Sequence, residues 1–94
     1  MIPLKVMETA FGGFELIRTM AETGNPSSIT DAGVGALALR SCIRGAFLNV
    51  KVNAVGLTDK DFAGQIIAQA SVIEQKAIEA ESSILKIVEA GIKQ

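Results

Sequence analysis

The residues whose types could do chemistry gather in one stretch, "GNPSSITDAGVGALALRSCIRGAFLNV", from Gly24 to Val50. It opens on the turn dipeptide Asn25-Pro26, followed by hydroxyls at Ser27, Ser28 and Thr30 and a carboxylate at Asp31. An amide, hydroxyls and a carboxylate leading into a helix are the chemistry of capping. Ser28 or Thr30 accepts from free backbone N–H groups, and Asp31, expected in the first turn, meets the positive end of the helix dipole. Ser28 with Asp31 approximates a capping box, with Asp shorter than the usual Glu. The same groups can hold a polar ligand, although an aspartate at such a place more often serves the helix than a reaction. Farther along, Arg40 and Arg44 are one turn apart and Lys51 follows on the same face. That row is either a solvated edge or an anion-binding strip suited to carboxylates or phosphates. Asn49 and Asn53, also one turn apart, can pair across an interface or hold a ligand.

What is missing narrows the chemistry. There is no histidine, which removes the commonest acid–base group and the commonest metal ligand, and there is one cysteine, Cys42. No cysteine pair or carboxylate cluster takes their place, so no metal is expected. Cys42, set among small residues with no histidine anywhere, is expected to be packed and inert. A single cysteine allows no intrachain disulfide and points to a reducing compartment. The net charge of -1, without a run of like charge, leaves no basic face for nucleic acid. No apolar run approaches the ~20 residues of a membrane span. The start, "MIPLKVMETAFGG", lacks the basic and apolar blocks of a signal peptide. Cytoplasm is the expected compartment.

The elements that position these residues are all helices. From about Pro3 to Glu22, the residues Leu4, Met7, Phe11, Phe14, Ile17 and Ala21 recur at three and four, one helix face. Gly12 and Gly13 interrupt it and are read as marks of close approach by another backbone. Gly24 suits the left-handed residue after a helix, and Pro26 bars continuation. The second segment is expected to start between Ser28 and Asp31 and to run to about Asn53. Its small residues, including Gly35, Ala38, Ser41, Cys42, Gly45 and Ala46, suit a central helix touched on several sides. "NAVGLTDKD" is a connector, with Gly56 for the turn and Thr58 or Asp59 as the next cap. The third segment, from about Lys60 to Lys93, carries Ile66, Ala70, Ile73, Ala77, Ala80, Ile84, Ile87 and Gly91 at alternating fours and threes, a heptad seam. Ile78, Leu85, Val88 and Ile92 form a second apolar line beside it. Hydrophobic residues are 49% of only 94 residues, and aromatics only 4%. So much aliphatic surface on so short a chain predicts an all-α fold of three helices, the last one long, within a larger helical bundle that oligomerises.

Three stretches carry a family resemblance: "IPLKVMETA", "GNPSSITDAGVGALALRSCIRGAFLNVKVNAVGLTDKDF" and the long terminal helix. They resemble the C-terminal half of the formiminotransferase-cyclodeaminase family, whose members include formiminotetrahydrofolate cyclodeaminase and a bacterial methenyltetrahydrofolate cyclohydrolase. The family pattern is close to G-N-P-N-S-(V/I)-(S/T)-D-A-G-V, an Ala-rich helix, then L-N-V-(R/K)-I-N. It runs here from Gly24 to Asn53, with Ser27 for the usual Asn and Val52 for a usual Ile. The resemblance implies an all-helical domain about twice this length, dimeric or higher. Residues 1–94 would be its C-terminal half. The N-terminal half, with its Pro-Thr-Pro-Gly-Gly-Gly-Ser type loop, is absent from this sequence and becomes a partner.

The activity implied is part of a cyclodeaminase that converts 5-formiminotetrahydrofolate to 5,10-methenyltetrahydrofolate and ammonia, as in histidine degradation. The folate is the substrate and no further cofactor is implied. Whether the chain alone is an enzyme stays open at this point. By chemical type, Asp31 is the catalytic candidate, an electrostatic partner for developing cationic charge. Asn25 and Ser28 are candidates to hydrogen-bond the pterin or the formimino group, and Arg40 or Arg44 to meet the glutamate tail. A cyclohydrolase and a non-catalytic helical module that self-associates through the third helix are the alternatives. "GVGALALRS" and "GAFLNV" look closer to the cyclodeaminases.

Overall fold

In the computed structural model, which describes residues 2–23 and 25–92, three helices account for almost the whole chain: α1 (Ile2–Glu22), α2 (Pro26–Val55) and α3 (Lys60–Ile92). The architecture is all-α, and each helix packs on the other two. Short connectors make each helix antiparallel to the one before it, and the molecule is a rod of 54 × 17 × 15 Å.

The ends of the helices have local causes. α2 begins three residues earlier than capping by Ser28 would require. Asn25, in extended conformation, is the N-cap; its Oδ1 accepts from Ser27 N at 3.0 Å and Ser28 N at 3.4 Å. Pro26 fills the first helical position, where its missing N–H costs nothing. Asp31 therefore lies in the second turn, and the first turn of α2 has no acidic residue. The Ser28–Asp31 capping box does not form, because the amide of Asn25 has already taken the free N–H groups. α2 also runs to Val55, past Asn53. For α3 the expected cap is found: Asp59 Oδ1 accepts from Phe62 N at 3.0 Å. Gly24, expected to close α1, lies outside the described residues.

The core is one aliphatic column: Met7 and Phe14 from α1, Ile43, Phe47 and Val50 from α2, and Ile66, Ile84 and Val88 from α3. The α3 seam is consumed here. Ile66, Ala70, Ala77 and Ile84 are buried, and Ile73, Ala80 and Ile87 pack partly buried against the core. The seam's partners are thus α1 and α2 of the same chain. Of the second line, Val88 is buried while Ile78 and Ile92 are exposed.

The small residues of α2 divide. Gly33 and Gly35 do permit close approach: a Cβ on Gly33 would sit 3.2 Å from Val88 Cγ1, and one on Gly35 only 2.9 Å from Ile17 Cδ1. In α1, Gly13 receives the Leu39 side chain, and nothing lies within 4 Å of a Cβ at Gly12, so no backbone approaches there. On the opposite side of α2 the residues Ala38, Ser41, Cys42, Gly45 and Asn49 are exposed. α2 is touched on two sides and open on the third. Among the described residues, no helix is long and apolar enough to cross a membrane.

Candidate functional site

Position on α2 sorts the candidate residues into separate groups. At 3.6 residues per turn, Asp31 and Arg40 are about 180° apart around the axis, whereas Asp31 and Asn49 lie about five whole turns apart, on one line. The cations face α3. Arg44 Nη1 donates to Glu74 Oε1 at 3.0 Å and Oε2 at 3.3 Å, and Arg40 Nη1 lies 3.8 Å from Glu74 Oε2. Lys51 Nζ stands 4.4 Å over the Phe47 ring and Arg44 Cζ 6.0 Å from it. The expected row of three cations is present, but Glu74 already occupies two of them. Its side chain is only 14% exposed, which ties the row to α3 as part of the packing.

The start of α2 holds the other group. Asn25 spends its Oδ1 on the cap, and its Nδ2 has no acceptor among the described residues. Ser28 is half-buried and Asp31 exposed. Asp31 has no hydrogen-bond or ion-pair partner among the described residues, so its carboxylate is open to whatever approaches the helix start. A groove of about 300 Å³ lies beside this end, lined by Pro26, Ile29, Thr30, Gly91 and Ile92. None of Asn25, Ser28 and Asp31 lines it.

A second groove runs along the line that Asp31 begins. About 360 Å³ in volume, it is bounded by Ile2, Pro3 and Val6 of α1 and by Ser41, Cys42, Gly45 and Asn49 of α2. Cys42 borders it and is exposed, contrary to the packed and inert thiol expected from its small neighbours. Those neighbours are small on the open side of α2, which neither α1 nor α3 covers. Asn53 lines a further groove with Ile2, Leu57 and Phe62, while its Nδ2 donates to Asn49 O at 2.8 Å.

Arg40 and Arg44 are thus not gathered with Asp31, Asn25 and Ser28 in this chain. What sequence reading missed is Glu74, whose role depends on the register between α2 and α3. The alignment of Asp31 with Asn49 was readable from their spacing of eighteen residues.

A family model described as formiminotransferase-cyclodeaminase matches residues 1–72. The chain is 34% identical over 89 residues to a methenyltetrahydrofolate cyclohydrolase of Methylorubrum extorquens, covering 87% of this chain and 43% of that protein. It is 32% identical over 89 residues to the formimidoyltransferase-cyclodeaminase of Rattus norvegicus, covering 95% of this chain and 16% of that protein. To the protein of the same name from Dictyostelium discoideum it is 31% identical over 87 residues. The chain therefore spans less than half the length of these relatives. No solved structure matches it.

Proposed function

Because this chain belongs to the formiminotransferase-cyclodeaminase family, we propose that it forms one wall of a folate site of the cyclodeaminase type. The wall is the start of α2 with the open line running from Asp31 to Asn49. The observation that carries the reading is the open carboxylate of Asp31, exposed and unpaired among the described residues, inside the stretch that bears the family pattern. The opposite wall comes from the part of the relatives that this chain does not match, a complementary helical half.

The chemistry suits such a carboxylate. In 5-formiminotetrahydrofolate the N10 nitrogen attacks the formimino carbon and a C–N10 bond forms. The N10 proton passes to the formimino nitrogen, a second proton arrives, and the C–N bond breaks to release ammonia. The product, 5,10-methenyltetrahydrofolate, is an amidinium cation. A fixed carboxylate beside the carbon stabilises the positive charge as it develops, and more strongly once a second wall excludes water. Asn25 Nδ2 and Ser28 Oγ are the groups of this wall that would hydrogen-bond the pterin or the formimino group. Arg40 and Arg44 can reach a glutamate tail only by sharing or leaving Glu74.

The test uses the chain joined to a complementary N-terminal half. Asp31→Asn in that protein is expected to lower ammonia release on the order of 100-fold or more, with an unchanged circular-dichroism spectrum and melting temperature. Unchanged turnover removes Asp31 from the mechanism. A cyclohydrolase is the second reading, favoured by the bacterial relative at 34% identity. Its reaction adds water to the same methenyl cation, so Asp31 would keep its role. Assaying the joined protein for loss of methenyltetrahydrofolate, without formimino substrate, separates the two. A non-catalytic helical module predicts neither activity, and no melting shift when folate is titrated into the joined protein.

A further inference from the structure

The open line that begins at Asp31 passes Cys42 before it reaches Asn49. Cys42 follows Asp31 by eleven residues, which puts it about 20° off the line and about 16 Å along the axis. At that level α1 lies alongside. A groove of about 380 Å³ opens there between Cys42 and Ile2, Val6 and Ala10 of α1, with Lys5 and Thr9 on its wall. It shares Ile2, Val6 and Cys42 with the groove that runs on to Asn49, so the two form one trough.

The lining is chiefly apolar, and Lys5 and Thr9 are the polar groups that α1 brings to it. Lys5 is exposed and makes no ion pair among the described residues, unlike Arg40 and Arg44, which share Glu74. Thr9 is one turn farther along α1. The hydroxyls of Thr19 and Thr30 donate to carbonyls four residues back, whereas that of Thr9 makes no such bond among the described residues. An unpaired ammonium beside an unspent hydroxyl, at the edge of an apolar groove, is complementary to a carboxylate carried on an apolar body.

The other cations are placed elsewhere. Arg40, Arg44 and Lys51 are turned about 180–220° from Asp31 around α2. Arg18 Nη2 donates to Ser83 Oγ of α3 at 2.8 Å, and Lys60 Nζ to Val55 O at 3.2 Å. Lys76 and Lys86 belong to α3, none of whose described residues lines the trough. The spacing fits a folate. Its reacting carbon is separated from the glutamate by a benzoyl ring and an amide, an extended span of about 12 Å to the carboxylates from ordinary bond lengths. An ion pair adds about 3 Å. The total is close to the ~16 Å of helix between Asp31 and the level of Cys42.

We propose that Lys5 is the tail-binding cation of the folate site, an assignment that rests on the reading of this wall given above. Its ammonium pairs with a glutamate carboxylate, and Thr9 Oγ1 donates to the second oxygen. The aminobenzoyl ring crosses α2 over the exposed Ala38, midway along the line. Arg40 and Arg44 stay with Glu74 and take no part in holding the tail. Lys5 does not touch the reacting atoms, so its loss shows in KM and not in kcat.

The experiment uses the joined protein and two substrates, the tetrahydrofolate and the corresponding tetrahydropteroate, which lacks the glutamate. Each is given in whichever form, formimino or methenyl, the protein turns over. Removing the glutamate should raise KM about 10- to 100-fold, the value of a charge-assisted contact, with kcat nearly unchanged. Lys5→Gln should raise KM for the full substrate by the same factor and erase the difference between the two. Lys5→Arg should keep most of that difference. Raising salt from 50 to 500 mM should raise KM for the full substrate only while a cation stands at this position. Lys5 is exposed, so the helical spectrum and Tm of each variant should match the parent. The proposal is overturned if Lys5→Gln leaves the tail preference intact or lowers kcat equally on both substrates. It is also overturned if Arg44→Gln erases the preference instead. Those results leave the folate reading standing, whereas a joined protein that turns over neither form of either substrate overturns that reading and the tail anchor together.

Discussion

Asn25 shows how much a single side chain can settle. Its carbonyl oxygen holds two backbone N–H groups at the start of α2, which moves the helix start to Pro26 and carries Asp31 into the second turn. The amide was legible in the sequence as a ligand group, and its capping role was not assigned to it, because Ser28 and Thr30 are equally good caps by type. Asn25→Ala is expected to cost about 1 kcal/mol of stability, the ordinary value of a lost N-cap, measured as a lowered urea midpoint with an unchanged slope. Arg40, Arg44 and Glu74 illustrate the opposite case. Two arginines one turn apart could be read as a strip, but the carboxylate that holds them is thirty or more positions away. Arg44 is 45% exposed at its side chain, so this cluster contributes little to stability and mainly fixes how α2 faces α3.

At the scale of the helices, periodicity was the strong signal. The faces of α1 and α3 are those their spacing predicted, down to the burial of Ile66, Ala70, Ala77 and Ile84. The small residues on these faces have opposite tolerances. Ala77 is fully buried, and Ala77→Leu should destabilise by about 1–3 kcal/mol through overpacking. Gly64, also in α3, is exposed with nothing within 4 Å of a Cβ. Gly64→Ala should therefore stabilise by about 0.5–1 kcal/mol, since only the helix propensity changes. Paired thermal melts of the two variants check both signs. α2 gives a weaker signal, because its side chains are small nearly all round. A helix with little contrast around its circumference does not announce which face is covered.

For the whole molecule, three helices share one column of aliphatic side chains, with each helix in contact with both others. No helix has a core of its own, so none can keep its fold when another leaves. Heating should give a single transition with equal calorimetric and van't Hoff enthalpies. The enthalpy should be about 60–70 kcal/mol from chain length. A helix that melts separately would show that the column is not continuous. The surplus of apolar residues over what 94 residues can bury was also legible. It is now located: the excess is concentrated on the open face of α2 and the adjoining start of α1.

The sequence by itself determined the helix number, most of the boundaries, two of the apolar faces and the family pattern from Gly24 to Asn53. These depend on residues within a turn or two of each other, through capping, proline exclusion and 3.6-residue spacing. Tertiary structure alone decided which seam is used at home and which is left open. Two stripes of heptad spacing exist, one on α3 and one on α2 from Val34 to Val55, and spacing cannot rank them. α3 presents larger branched side chains, and its Val88 fills the space that Gly33 opens, as Ile17 of α1 fills that at Gly35. The α2 stripe, facing away, is left uncovered. The same packing set Cys42 outward, turned Arg40 and Arg44 to Glu74, and left Asp31 open at the start of α2.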